Sequence, residues 1–256
     1  MIRSSEKTAR DEFLLKVREA LGKKSTLVDK TEIMKYFSTS QGELNIRAQE
    51  IKDRCQANVE QLVIKLENQA INAKWNVTRV GSPQKACEYV EKLVNEKKAK
   101  SLLYSHYPIL DKMDLSNYMF NTDVVLKGDC LSDVSEYSEK EISGRQKKEE
   151  AFSSDIGLTG VDYAIAETGT CVLIPRHGIS RLVSLVPPIH VAFVELEQII
   201  ETIDDVFTLR RLELFQKGDI GSYMNFISGP SRTADIEQTL TIGVHGPKEA
   251  YMVIVG

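Results

Sequence analysis

The sequence predicts an α/β protein, a mostly parallel sheet flanked by helices with an N-terminal helical extension, and three observations carry that expectation. From Trp75 onward, short apolar runs alternate with helical patterns, as in strand–helix–strand units. Before Trp75, apolar residues recur at steps of three and four, the spacing of one helical face. The 256 residues are 42% apolar and 27% charged, the mix of a globular protein with chain enough for a substantial core.

In order along the chain, "DEFLLKVREALG" sets Phe13, Leu14, Val17 and Leu21 on one helical face and Gly22 where a helix stops. A polar connection follows. The stripe Leu44, Ala48, Ile51, Cys55, Val59, Leu62, Leu66 and Ala70 then predicts one helix of roughly seven turns over 43–70. It packs either on the chain's own sheet or, as a homodimer, on a second copy of itself. Expected domains are therefore a helical extension, 1–42, and an α/β domain, 43–256. "NVTRV" reads as a strand. In "SPQKACEYVEKLVNEKK", Ser82 stands as N-cap and Pro83 at the first helical position, before an apolar face of Ala86, Tyr89, Val90 and Leu93. "SLLYS", "DVVLKG", "IHVAFVEL", "YMNFISG" and "AYMVIVG" read as further strands, and "LEQIIETIDDVFTLRRLELF" as a helix. In "DYAIAETGTCVLIPRHG" two apolar arms flank Thr168-Gly169, a glycine turn between paired strands.

A net charge of -4 and a pI near 5.7 argue against nucleic acid as the main partner. Cys55, Cys87, Cys130 and Cys171 are scattered, without the spacing of a metal or iron–sulfur motif. The expectation is reduced thiols, no metal and no cofactor on this chain. The first residues lack an apolar signal core, and the longest uncharged run, Leu182 to Val194, is too short to span a bilayer. A cytoplasmic protein without membrane insertion is expected.

Three polar clusters stand at the ends of apolar strands, where open α/β sheets place ligands. They are Glu167-Thr168-Gly169-Thr170, the run Ser228-Gly229-Pro230-Ser231-Arg232-Thr233, and the run Gly243 to Lys248 that contains His245. Strand, small hydroxyl-bearing turn, then the helix start "ADIEQTL" would make an anion cradle from backbone N–H groups and Arg232. An ordinary strand–turn–helix connection has the same spacing, which matches no phosphate-loop fingerprint. Glu167 is either an exposed turn carboxylate or a base, nucleophile or ligand-orienting group. His245, between small residues, is placed to face a cleft. His190 opens an apolar strand as a structural histidine, and His177 reads as loop surface. Glu167 and His245 are thus the candidate catalytic residues. Thr168, Gly169, Thr170, Ser228, Gly229, Ser231, Arg232 and Thr233 are the candidate ligand-binding ones, converging at the C-terminal edge of the sheet.

"GLTGVDYAIAETGTCVLIP", "RLVSLVPPIHVAFVE", "FISGPSRTADIE" and "GVHGPKEAYMVIV", in that order, resemble the LUD-domain family and its lactate-utilisation protein C branch from about Glu43 to the C-terminus. The resemblance implies a fold like the sugar-phosphate isomerase and CoA-transferase superfamily. It also implies a cluster-free role in bacterial oxidation of L-lactate to pyruvate, beside partner proteins that carry iron–sulfur clusters. A free-standing enzyme acting on a sugar-phosphate, CoA-ester or folate-like substrate is the alternative that the superfamily fold permits. The resemblance carries motif positions, not catalytic roles.

Overall fold

The structure, a computed structural model, describes residues 12, 13, 16, 17, 20, 39–119, 123–128, 148–176, 179–218, 223–234 and 240–256. Most of the first predicted helix, Cys130 and His177 lie outside the described residues. Two compact units are present, Met1–Leu44 and Asn45–Gly256.

The predicted long helix is two, α1 (Gln41–Ala57) and α2 (Val59–Asn72). They part at Asn58, whose side chain donates to the Arg54 carbonyl at 2.9 Å. An Asx side chain that bonds local backbone competes with the helical ladder, which explains the break. The stripe from Ala48 to Ala70 is buried in the chain's own core, the first of the two packings expected for it.

Beyond α2 come β1 (Asn76–Val80), α3 (Pro83–Lys97), β2 (Ser101–Tyr104), α4 (Pro108–Met113), α5 (Leu115–Met119), β3 (Val125–Gly128) and β4 (Ile156–Gly160). The start of α3 is as expected: the Ser82 hydroxyl accepts from the Lys85 N–H at 3.3 Å with Pro83 in the first turn. Then follow β5 (Tyr163–Ile165), β6 (Thr170–Leu173), α6 (Leu182–Leu185), β7 (Ile189–Glu195), β8 (Ile199–Ile200), α7 (Ile203–Lys217), β9 (Asn225–Ile227), β10 (Arg232–Ala234), β11 (Leu240–Ile242) and β12 (Glu249–Val255). The helix expected from Leu196 begins only at Ile203, because Ile199 and Ile200 pair with β5 first.

The main sheet is parallel throughout, in the order β1-β12-β7-β4-β2-β3. This is the expected α/β architecture. A smaller sheet, β8-β5-β6-β9, folds over one of its faces. There Ala192, Val194, Met252 and Ile254 share a core with α1, α2 and the strand pair β5–β6. On the opposite face Val191, Phe193 and Val253 pack with α3, α4 and α5. Strands buried on both faces explain why β7 and β12 read as continuous apolar runs.

Candidate functional site

The Glu167–Thr170 turn is a clamp between elements. Gly169 takes a φ of +64° and lies against the backbone of Gln69 and Ala70 at the end of α2. Its carbonyl accepts the buried indole N–H of Trp75 at 3.0 Å. The Glu167 carboxylate accepts the Ile203 N–H at 2.8 Å, the first backbone donor of α7. That helix already has a capping box between Thr202 and Asp205, with Asp204 beside it, so Glu167 adds a further carboxylate to its positive end from the turn after β5. Glu167→Ala should therefore lower stability by about 1 kcal/mol in a urea titration. A loss below a few tenths would show that the cap contributes nothing.

Thr168 and Thr170 are joined hydroxyl to hydroxyl at 2.8 Å, and Thr170 reaches the Ser228 hydroxyl at 2.7 Å. The first two predicted clusters therefore meet. Gly229 abuts the Ala73 carbonyl, and Arg232 donates its Nη2 to the same oxygen at 3.3 Å. A guanidinium on the last carbonyls of α2 complements the negative end of that helix.

The second and third clusters also meet. The Ser231 N–H donates to the Pro247 carbonyl at 2.9 Å, and the His245 N–H donates to the Ser231 hydroxyl at 3.3 Å. The His245 imidazole is exposed. Among the described residues no hydrogen bond or ion pair joins Glu167 to Arg232 or His245.

Two expectations are overturned. Ala234 and Leu240, the two ends of the expected helix "ADIEQTL", are strand residues: Arg232–Ala234 pairs antiparallel with Leu240–Ile242, with Thr233 opposite Thr241, and residues 235–239 lie outside the described residues. The three clusters also gather at the N-terminal edge of the parallel sheet, not at its C-terminal edge. Lys248, just before β12, donates to Pro188, just before β7, and Ala73 and Trp75 directly precede β1. Loops that precede strands in a parallel sheet stand at that edge by topology.

The C-terminal edge carries a different cluster, absent from the sequence reading. Asp162, two residues beyond β4, accepts from the Tyr107 hydroxyl at 3.0 Å, the Ile174 N–H at 2.7 Å and Arg176 Nη1 at 2.7 Å. The Arg176 guanidinium lies over the Tyr107 ring, 5.3 Å from its centroid. Burial, then the adjacent Asp162 charge, pushes the Tyr107 hydroxyl well above its ordinary range, so it stays a neutral donor. Gly160 lets the ring approach: a Cβ there would stand 2.7 Å from Tyr107 Cβ. The one available sequence signal was Asp162 beyond an apolar strand. Its partners are far off along the chain.

A parallel sheet with helices on both faces, and a strand pair folded over one of them with the Glu167–Thr170 turn at its end, is the architecture of an α/β domain of the LUD type. The family model for the LUD domain matches residues 59–255, and the chain belongs to that family. Among its relatives, lactate utilization protein C of Halalkalibacterium halodurans is 31% identical over 198 residues, 77% of this chain and 80% of that one. The protein of that name from Bacillus subtilis is 34% identical over 112 residues, 44% of this chain and 47% of the relative. In fold, the chain is similar to a crystal structure of a DUF162 family protein from Deinococcus radiodurans. The TM-score is 0.52 at 20% identity, over 77% of this chain and 98% of that one.

Proposed function

We propose that this chain is the cluster-free component of a bacterial L-lactate utilisation system, working in the cytoplasm beside partner proteins that hold iron–sulfur clusters and binding a small anionic ligand. The observation that carries this reading is the match across 77% of the chain to a relative named lactate utilization protein C. The cysteines support it. The three described ones, Cys55, Cys87 and Cys171, are buried on separate elements, α1, α3 and β6, without the close grouping that shared ligation of a cluster needs. Among the described residues, no helix is long and apolar enough to cross a membrane.

Deleting the gene should abolish growth on L-lactate as sole carbon source, and the wild-type chain should restore it. The Glu167→Gln chain should restore it too, since Glu167 acts as a helix cap. Undiminished growth of the deletion strain would sink the reading. A folded Glu167→Gln chain that fails to complement would return Glu167 to a chemical role.

A further inference from the structure

In the strand order, β2 and β4 are neighbours whose onward connections diverge to opposite sides. From β2 the chain runs outward to β3, and from β4 it runs to β7 on the other side. Open α/β sheets hold ligands in the crevice outside the carboxyl ends of strands at such a reversal. The residues there are Ser105, His106 and Tyr107 beyond β2, and Asp162 beyond β4, with Arg176 bonded to Asp162 and laid over Tyr107.

Two features of this cluster go beyond what packing requires. Arg176 spends Nη1 on the protein, bonding Asp162 at 2.7 Å and the Ile174 carbonyl at 3.0 Å. Beyond the Tyr107 hydroxyl beneath it, the rest of the guanidinium has no hydrogen-bond partner among the described residues, and the side chain is 46% exposed. Asp162, 15% exposed, is by contrast saturated with donors, so it orients the guanidinium and is not itself open to a ligand. The Ser105 hydroxyl, fully buried at the same strand end, has no hydrogen-bond partner. Unmet buried hydroxyls are rare enough to require a reason, and a site for ligand or ligand-bound water is one.

We propose that this crevice binds a small carboxylate through the Nη2–Nε edge of Arg176. The fork is planar, preset by Asp162 and by stacking on Tyr107, and matches the two oxygens of a carboxylate. Asp162 offsets much of the local positive charge, so a monovalent carboxylate fits better than doubly charged phosphate. The carboxylate class follows from the fork. The choice of L-lactate and pyruvate as first probes rests on the lactate-utilisation reading.

The test is a titration of the full chain with L-lactate, pyruvate, acetate and inorganic phosphate, read by thermal midpoint and by backbone amide shifts in NMR. Pyruvate or L-lactate should raise the midpoint and move the amides of Ser105, Asp162 and Arg176 in the wild-type protein. Arg176→Lys keeps the charge and loses the fork, and should weaken binding about tenfold or more. Arg232→Ala, at the opposite edge, should leave binding unchanged. The proposal is overturned if no carboxylate shifts the wild-type protein, if Arg176→Lys binds as tightly, or if the moving amides centre on Ser231 and His245. Phosphate binding tighter than pyruvate through Arg176 would make the ligand class wrong. Carboxylate binding together with normal growth of the deletion strain would keep this site and remove the lactate role. Lost growth without carboxylate binding would do the reverse.

Discussion

Gly169→Ala should lower stability by about 2–5 kcal/mol, the sum of a left-handed backbone cost and an overpacking cost. The glycine sits at φ +64°, and a Cβ there would stand 2.3 Å from the Ala70 nitrogen and 2.5 Å from the Gln69 carbonyl carbon. Those neighbours are helix backbone, which cannot rotate away as a side chain does. Relief would require moving the end of α2 from the turn and lengthening the buried bond from Trp75 to the Gly169 carbonyl. Gly218 provides the comparison. It too has a positive φ, +73°, but a Cβ there would meet nothing within 4 Å. Gly218→Ala should therefore show the backbone cost alone, about 1–2 kcal/mol. Urea midpoints of the two variants decide the matter: equal losses would show that the turn is not clamped against α2.

That turn illustrates which parts of the structure the sequence discloses. Strands buried on both faces and an N-capped, proline-led helix are written locally, so β7, β12 and α3 can be read directly from residue order. The break at Asn58 is weakly written, because one Asn inside an otherwise continuous apolar stripe costs a helix little by itself. The stretch after Thr233 misleads for another reason. Ile236 and Leu240 have helical spacing, yet Leu240–Ile242 turns back to pair with Arg232–Ala234. Pairing between segments overrides a local period. The location of the site is a topological property. The rule that ligands lie beyond strand C-termini is sound, but it cannot be applied to Ser231 and His245 until one knows that their loops precede β12. Tyr107 and Asp162 become neighbours only because β2 and β4 are adjacent.

Acidification from pH 6.5 to 4.5 should cost the protein about 2–3 kcal/mol through His190 alone, at about 1.4 kcal/mol per pH unit. The side chain is fully buried on β7, its Nε2 is 2.8 Å from the Thr159 hydroxyl, and its ring lies 6.1 Å from the Trp75 ring. Burial lowers its pKa from 6.5 to about 3. The charged ring is disfavoured for a second reason. An imidazolium carries a proton on each nitrogen, and Nδ1 is buried with no acceptor. The direction follows from proton uptake. Below pH 6.5 the unfolded chain binds a proton at this position and the folded chain does not, so acid favours unfolding. The contribution is complete above 6.5, falls through the window, and levels off near pH 3, where the folded protein takes up the proton as well. His190→Gln keeps an amide near the Nε2 position and removes the titration. It should therefore cost some stability at neutral pH while flattening the dependence between pH 6.5 and 4.5. Parallel stability-against-pH curves for the wild type and His190→Gln would mean that the buried imidazole reaches a proton without unfolding, and hence that this core opens to water.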